Sequence, residues 1–203
     1  YRYQANSLHT FSNLDSPPVT NLIELPSHKI VRVMEENQVL REKLSKLKRP
    51  QTEFFRIKIA KNLEVDAYAI LPPDLDSKKK YPLLVYVYGE PAGQTTVNGW
   101  RGSGGLWHWM LAQQGYVVMS IDNRGTTAPR GNAWRKSIYR QVGILASKDQ
   151  AAAVKQVLKD RPYLDVERVG VWGWSGGGSM TLNALFRYPD LYRIGISIAP
   201  VPN

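Results

Sequence analysis

From Thr52 onward the apolar residues fall into short runs separated by turn signals and by stretches of helical period. Residues 54–60 and 65–71 read as strands joined by Lys61-Asn62-Leu63-Glu64, an antiparallel hairpin. Residues 83–88 and 116–121 are nearly continuous apolar runs, as strands buried on both faces require. Residues 106–114 read as a helix closed by Gly115, and 133–141 and 147–159 as two more. In the last of these Ala151, Val154, Val157 and Leu158 form the inward stripe. A strand over 168–172, a helix over 177–188 and a strand over 194–198 complete the pattern. Strands alternating with helices predict an α/β domain with a mostly parallel sheet, right-handed crossovers and an antiparallel hairpin on one edge.

Residues 1–48 read differently. A strand candidate at 22–25 follows the turn-rich Asn13-Leu14-Asp15-Ser16-Pro17-Pro18. Val39, Leu40, Leu44 and Leu47 recur at helical spacing, Glu42 and Lys46 lie one turn apart, and Pro50 stops the segment. No hydrophobic pattern here is long enough for a separate core, so the expectation is the tail of a preceding domain plus a linker.

Composition narrows the function classes only slightly. The chain has 203 residues, enough for one good core with an appendage, and 43% hydrophobic content. It has no run of 18 apolar residues and hence no expected membrane span, and no basic-then-apolar start that would read as a signal peptide. Residue 1 is Tyr rather than Met, so a leader can lie upstream, and periplasmic and cytoplasmic locations both stay open. The absence of cysteine excludes disulfides and thiolate metal sites. The net charge of +10 is spread along the chain, with small groups at Lys78-Lys79-Lys80 and at Lys46, Lys48 and Arg49. That scatter argues against a nucleic-acid patch.

The chemistry concentrates in residues 168–178. A short apolar strand runs into Gly173-Trp174-Ser175-Gly176-Gly177-Gly178, and a helical segment follows at once. This is the pattern of a nucleophile elbow. Glycines two before and two after Ser175 remove Cβ atoms that would collide in so sharp a turn. The serine hydroxyl is lifted above the sheet, over a helix N-terminus whose free N–H groups favour developing negative charge. The expectation is a serine hydrolase. A Gly-rich strand-to-helix turn can also cradle phosphate, but no Gly-Lys-Ser/Thr follows it here. Ser179 is expected inside the helix, and Ser103 in a loop with no strand leading into it.

Four motifs then coincide in order: Tyr86-Val87-Tyr88-Gly89-Glu90-Pro91, Asp122-Asn123-Arg124-Gly125, the elbow, and Ile198-Ala199-Pro200-Val201. Together they resemble the prolyl oligopeptidase family of serine peptidases, in particular its dipeptidyl-peptidase IV branch, over residues 50–203. The resemblance implies a partial α/β-hydrolase fold in residues 49–203. It also implies that residues 1–48, with His9-Thr10-Phe11-Ser12 and Pro17-Pro18, are the last strands of a β-propeller and a linker. It implies Ser175 as the acylated nucleophile, with the Gly176 backbone N–H and the Tyr88 hydroxyl as oxyanion donors. Trp174 and Arg124 become candidate substrate contacts, set against burial beside the sheet for Trp174 and a structural turn with an internal ion pair for Asp122 and Arg124. The branch commonly has Tyr after the serine where this chain has Gly176, which puts subsite preference in question. A short peptide is the implied substrate, no metal or organic cofactor is called for, and a homodimeric parent protein is compatible with the resemblance. A carboxylesterase or lipase, or a non-catalytic fold relative, are the alternative readings.

Elbow hydrolases place Asp and then His after the serine. Only 28 residues follow Ser175, and they contain Asp190 and no His. Asp190 falls before the next strand, too early for the acid of a triad. His9, His28 and His108 all precede the serine, and His108 is expected as a half-buried helix residue. The chain is therefore expected to be part of a longer protein and nearly inactive by itself.

Overall fold

The computed structural model describes residues 5–91 and 93–201. They divide into two compact units, one of the described residues up to Arg49 together with Asn98–Trp107, the other of Pro50–Val97 together with the described residues from His108 onward.

In the first unit, strands β1 (Ala5–Asn13), β2 (Ser16–Leu25) and β3 (Ile30–Glu35) form an antiparallel sheet in that order, followed by helix α1 (Gln38–Ser45). The turn between β1 and β2 is tighter than the sequence suggests. Asn13 pairs with Ser16, and the Asp15 N–H donates to Asn13 Oδ1 at 2.9 Å. Pro17 and Pro18 therefore start β2 instead of prolonging the turn. Proline gives up only its donor, and both carbonyls are used: Arg41 Nη2 donates to Pro17 O at 2.6 Å and Asn37 Nδ2 to Pro18 O at 2.9 Å. Leu14, Ile23 and Leu44 are buried in this unit.

The second unit holds β4 (Gln51–Ala60), β5 (Leu63–Leu71), β6 (Tyr81–Tyr86), β7 (Val117–Asp122), β8 (Leu164–Trp174) and β9 (Ile194–Ile198), in the sheet order β4-β5-β7-β6-β8-β9. The β4–β5 and β5–β7 pairs are antiparallel and the other pairs parallel. Crossovers are helical: α2 (Gly102–Gln113, of which the residues from His108 on belong to this unit), α3 (Gly131–Lys136), α4 (Ile144–Asp160) and α5 (Gly176–Arg187). Val65, Leu83, Val85, Met119, Ile121, Val154, Val157, Val171 and Met180 belong to one continuous core. Each such side chain removed from water contributes roughly 1.5–3 kcal/mol before the entropy of ordering the chain is subtracted.

Four expectations need correction. α2 begins at Gly102, so Ser103 lies in its first turn and not in a loop. α3 stops at Lys136, after which the chain turns and buries Ile138 under Gly125. The buried face of α4 includes Ala146, Asp149, Gln150 and Ala153 besides Ala151, Val154 and Val157, while Leu158 is only partly buried. β6 ends at Tyr86, so Tyr88 stands two residues past the strand.

Candidate active site

Strand β8 delivers the chain into α5 through Ser175, at φ 56° and ψ −119°. This backbone region is unfavourable for a side-chain-bearing residue, by about 1–3 kcal/mol. It persists because both backbone groups are held: the Ser175 N–H donates to Ile198 O at 2.9 Å, and Ser175 O accepts from the Ser179 N–H at 3.1 Å. The hydroxyl makes no capping hydrogen bond, and the residue is half-buried. Among the described residues its Oγ is thus not used to cap the helix that it begins.

Neighbouring backbone presses on the turn. A Cβ on Gly177 would collide with Val87 O and sit 3.3 Å from Tyr88 Cα; one on Gly178 would lie 2.7 Å from Ile198 O. The exits of β6 and β9 therefore abut the elbow, which is why this stretch of the helix start has no side chains. The N–H groups of the first turn of α5 have no intrahelical acceptor and point toward the elbow.

Tyr88 is brought to the same place by β6. The Val87 N–H donates to Trp172 O at 2.9 Å, extending the β6–β8 ladder by one residue before the chain leaves the sheet. The loop then folds back: the Gly93 N–H donates to Glu90 O at 3.2 Å, and a Cβ on Gly93 would lie 2.7 Å from Tyr88 Cε1. The half-buried Tyr88 ring thus rests on a glycine. Across the elbow, a Cβ on Gly176 would lie 2.7 Å from both Cδ and Oε2 of Glu90.

A buried polar network holds this loop. Asn123 Nδ2 donates to Gly89 O at 3.1 Å and to Arg124 O at 2.7 Å, and Gln150 Nε2 donates to Asn123 Oδ1 at 3.0 Å. Arg124 Nη2 and Nε donate to Asp149 at 2.7 and 2.9 Å, and the Arg124 N–H donates to Asp149 Oδ2 at 3.1 Å. The hydrogen bonds to Asp149 hold the guanidinium above its ordinary pKa, against the burial that would lower it. Arg124 is thus anchored in an internal ion pair. Asp122, 1% exposed, takes a separate set of partners: the Thr95 N–H at 2.8 Å, the Thr95 hydroxyl at 2.9 Å and the Thr96 N–H at 3.0 Å.

Trp174 is 60% exposed, so burial beside the sheet does not account for it. His108 is 2% exposed, more deeply buried than the helix position suggested, with ring centroids 5.4 Å from both Tyr86 and Trp172. Among the described residues no group of three or more His, Cys, Asp or Glu side chains is placed to hold a metal ion, and no helix is long and apolar enough to cross a membrane.

Comparison with known proteins points to the same family as the motifs. The model of the prolyl oligopeptidase family matches residues 107–203. Dipeptidyl peptidase 4 of Trichophyton equinum is 34% identical over 177 residues, covering 86% of this chain and 22% of that protein. Prolyl endopeptidase FAP of Mus musculus is 34% identical over 185 residues, covering 91% and 24%. The crystal structure of Porphyromonas gingivalis dipeptidyl peptidase 4 superposes with a TM-score of 0.88 at 36% identity, over 98% of this chain and 29% of that one. The chain belongs to the prolyl oligopeptidase family. Within that family it is similar to the dipeptidyl-peptidase IV branch, and the second unit has a partial α/β-hydrolase fold. The chain spans less than a quarter of the length of these two curated relatives.

Sequence reasoning passed over Glu90, Asn123, Asp149 and Gln150. For the last two a signal existed: Ala146, Asp149, Gln150, Ala153 and Val157 follow helical spacing, so polar residues sat on a face that otherwise reads as core.

Proposed function

We propose that the whole protein carrying this chain is a serine peptidase of dipeptidyl-peptidase or oligopeptidase type, cleaving short peptides through an acyl-enzyme. The observation that carries this reading is Ser175, strained at φ 56°, at the N-terminus of α5 with a hydroxyl that does not cap the helix. In this reading Ser175 Oγ attacks the scissile carbonyl carbon and its proton passes to a base. The carbonyl oxygen becomes an oxyanion that accepts from the Gly176 N–H and the Tyr88 hydroxyl. Collapse breaks the C–N bond, and the leaving amine takes the proton. Water then attacks the ester, the oxyanion forms again, and Ser175 is released with the carboxylic acid product. Each fixed donor of this kind contributes about 10²–10³-fold to the rate.

A neutral hydroxyl needs an adjacent base. His108, enclosed by Tyr86 and Trp172, is poorly suited to that task. We therefore assign the base and its carboxylate partner to parts of the protein outside residues 1–203, so this chain alone is expected to be nearly inactive. Exposed Trp174 is assigned to substrate contact. Arg124, tied to Asp149, is assigned to positioning the Tyr88–Glu90 loop through Asn123. Residues 1–48 are assigned to the final strands of a β-propeller with a linker, and 49–203 to the hydrolase domain. The printed names of the relatives, dipeptidyl peptidase 4 and prolyl endopeptidase, favour a peptide substrate.

The test offers dipeptide anilides, longer peptides and acyl esters to the whole protein and to its Ser175→Ala variant. The expected result is peptide cleavage that the variant loses. Ester hydrolysis with no peptide cleaved would point instead to a carboxylesterase.

A further inference from the structure

Glu90 has no role in the chemistry described above, yet its carboxyl group lies against the residue that follows the nucleophile. The carboxyl carbon and Oε2 are both 2.7 Å from where a Gly176 Cβ would stand. The carboxylate thus fills the volume that any side chain at position 176 would need. Its approach to the elbow is imposed by the loop, because the Gly93 N–H closes on Glu90 O at 3.2 Å and Asn123 Nδ2 holds Gly89 O at 3.1 Å. Glu90 is half-buried, and among the described residues it joins none of the ion pairs. A partly desolvated carboxylate without a cation is an unfavourable arrangement. Next to an oxyanion hole it also opposes the negative charge that develops there. A positive charge brought in by the substrate would remove both penalties at once.

We infer that Glu90 determines specificity by binding a positive charge on the substrate close to the scissile bond. The inference rests on the peptidase reading above. The recognised group is an ammonium or guanidinium, carried by a Lys or Arg side chain or by a free α-amino terminus. Because the cation offsets Glu90 as the oxyanion forms, the preference appears in kcat as well as in KM.

The experiment measures kcat/KM of the whole protein on matched short peptides. One pair has Lys or Gln beside the scissile bond; the other has a free or an acetylated amino terminus. In Glu90→Gln, which keeps shape and loses charge, the ratio of cationic to neutral kcat/KM is expected to fall about tenfold, the size of one charge-assisted hydrogen bond. The pair that responds identifies the source of the charge. Gly176→Ala is the second variant. Its new Cβ displaces the flexible carboxylate while keeping the charge, so the ratio is expected to fall there too. Equal changes for cationic and neutral peptides in Glu90→Gln would overturn the inference and leave the peptidase reading intact. If the unmodified protein cleaves none of the four peptides and Ser175 is not acylated, both readings fall.

Discussion

Strands β3 and β7 have six residues each and similar apolar content, Ile-Val-Arg-Val-Met-Glu against Val-Val-Met-Ser-Ile-Asp. Every residue of β3 is exposed and every residue of β7 is buried. The difference lies in their neighbours. β3 is the outer strand of a three-stranded sheet, whereas β7 runs between β5 and β6 under helical crossovers. Their terminal carboxylates differ in the same way. Glu35 is exposed and accepts from the Asn37 N–H at 2.6 Å, while Asp122 is buried and satisfied by three donors from Thr95 and Thr96. Burial is thus a property of place in the sheet more than of composition, and the unit with the larger buried core is the one that carries Ser175 and Tyr88.

Substitutions in the whole protein test how far burial sets the stability of each strand. The largest effect is expected for Gly177→Ala. Its Cβ would run into backbone, Val87 O, which cannot move as a side chain end can. The variant should lose upward of about 4 kcal/mol in denaturant unfolding, or fail to fold. Ile121→Ala in β7 removes a side chain that is 1% exposed and leaves a cavity, and should lower stability by about 3 kcal/mol. Val33→Ala in β3, 43% exposed, should change stability by no more than about 0.5 kcal/mol. A loss above about 1.5 kcal/mol at Val33 would show that the β3 face is covered in the whole protein, and the comparison would then hold only for this chain.

Most of the second unit was legible because its strands and helices carry periodic contrast. The hairpin β4–β5, the apolar β6 and β7, the elbow and β9 all fall within a few residues of their expected places. In the first unit the end of β2 and helix α1 fall close to their expected places, but β1 and β3 were hidden, since β1 is mostly polar with Leu8 and Phe11 three apart, and β3 shows no alternation because neither of its faces is buried. The start of α2 was hidden by Gly102, Gly104 and Gly105, which read as loop. At the site, Gly-x-Ser-x-Gly announces the turn through its own glycines. Glu90 could not be found this way. Its proximity to Gly176 arises from a fold-back of the 88–93 loop, and nothing in the local residue pattern encodes which side chain fills the space beside a glycine 86 positions later.

Covalent labelling shows whether the Ser175 hydroxyl is the nucleophile. Treatment of the whole protein with a fluorophosphonate, followed by peptide mapping, should place the phosphonyl adduct on Ser175 alone among the serines of this chain, with no adduct in Ser175→Ala. Labelling at Ser103, Ser179 or elsewhere, or undiminished labelling of Ser175→Ala, would contradict it.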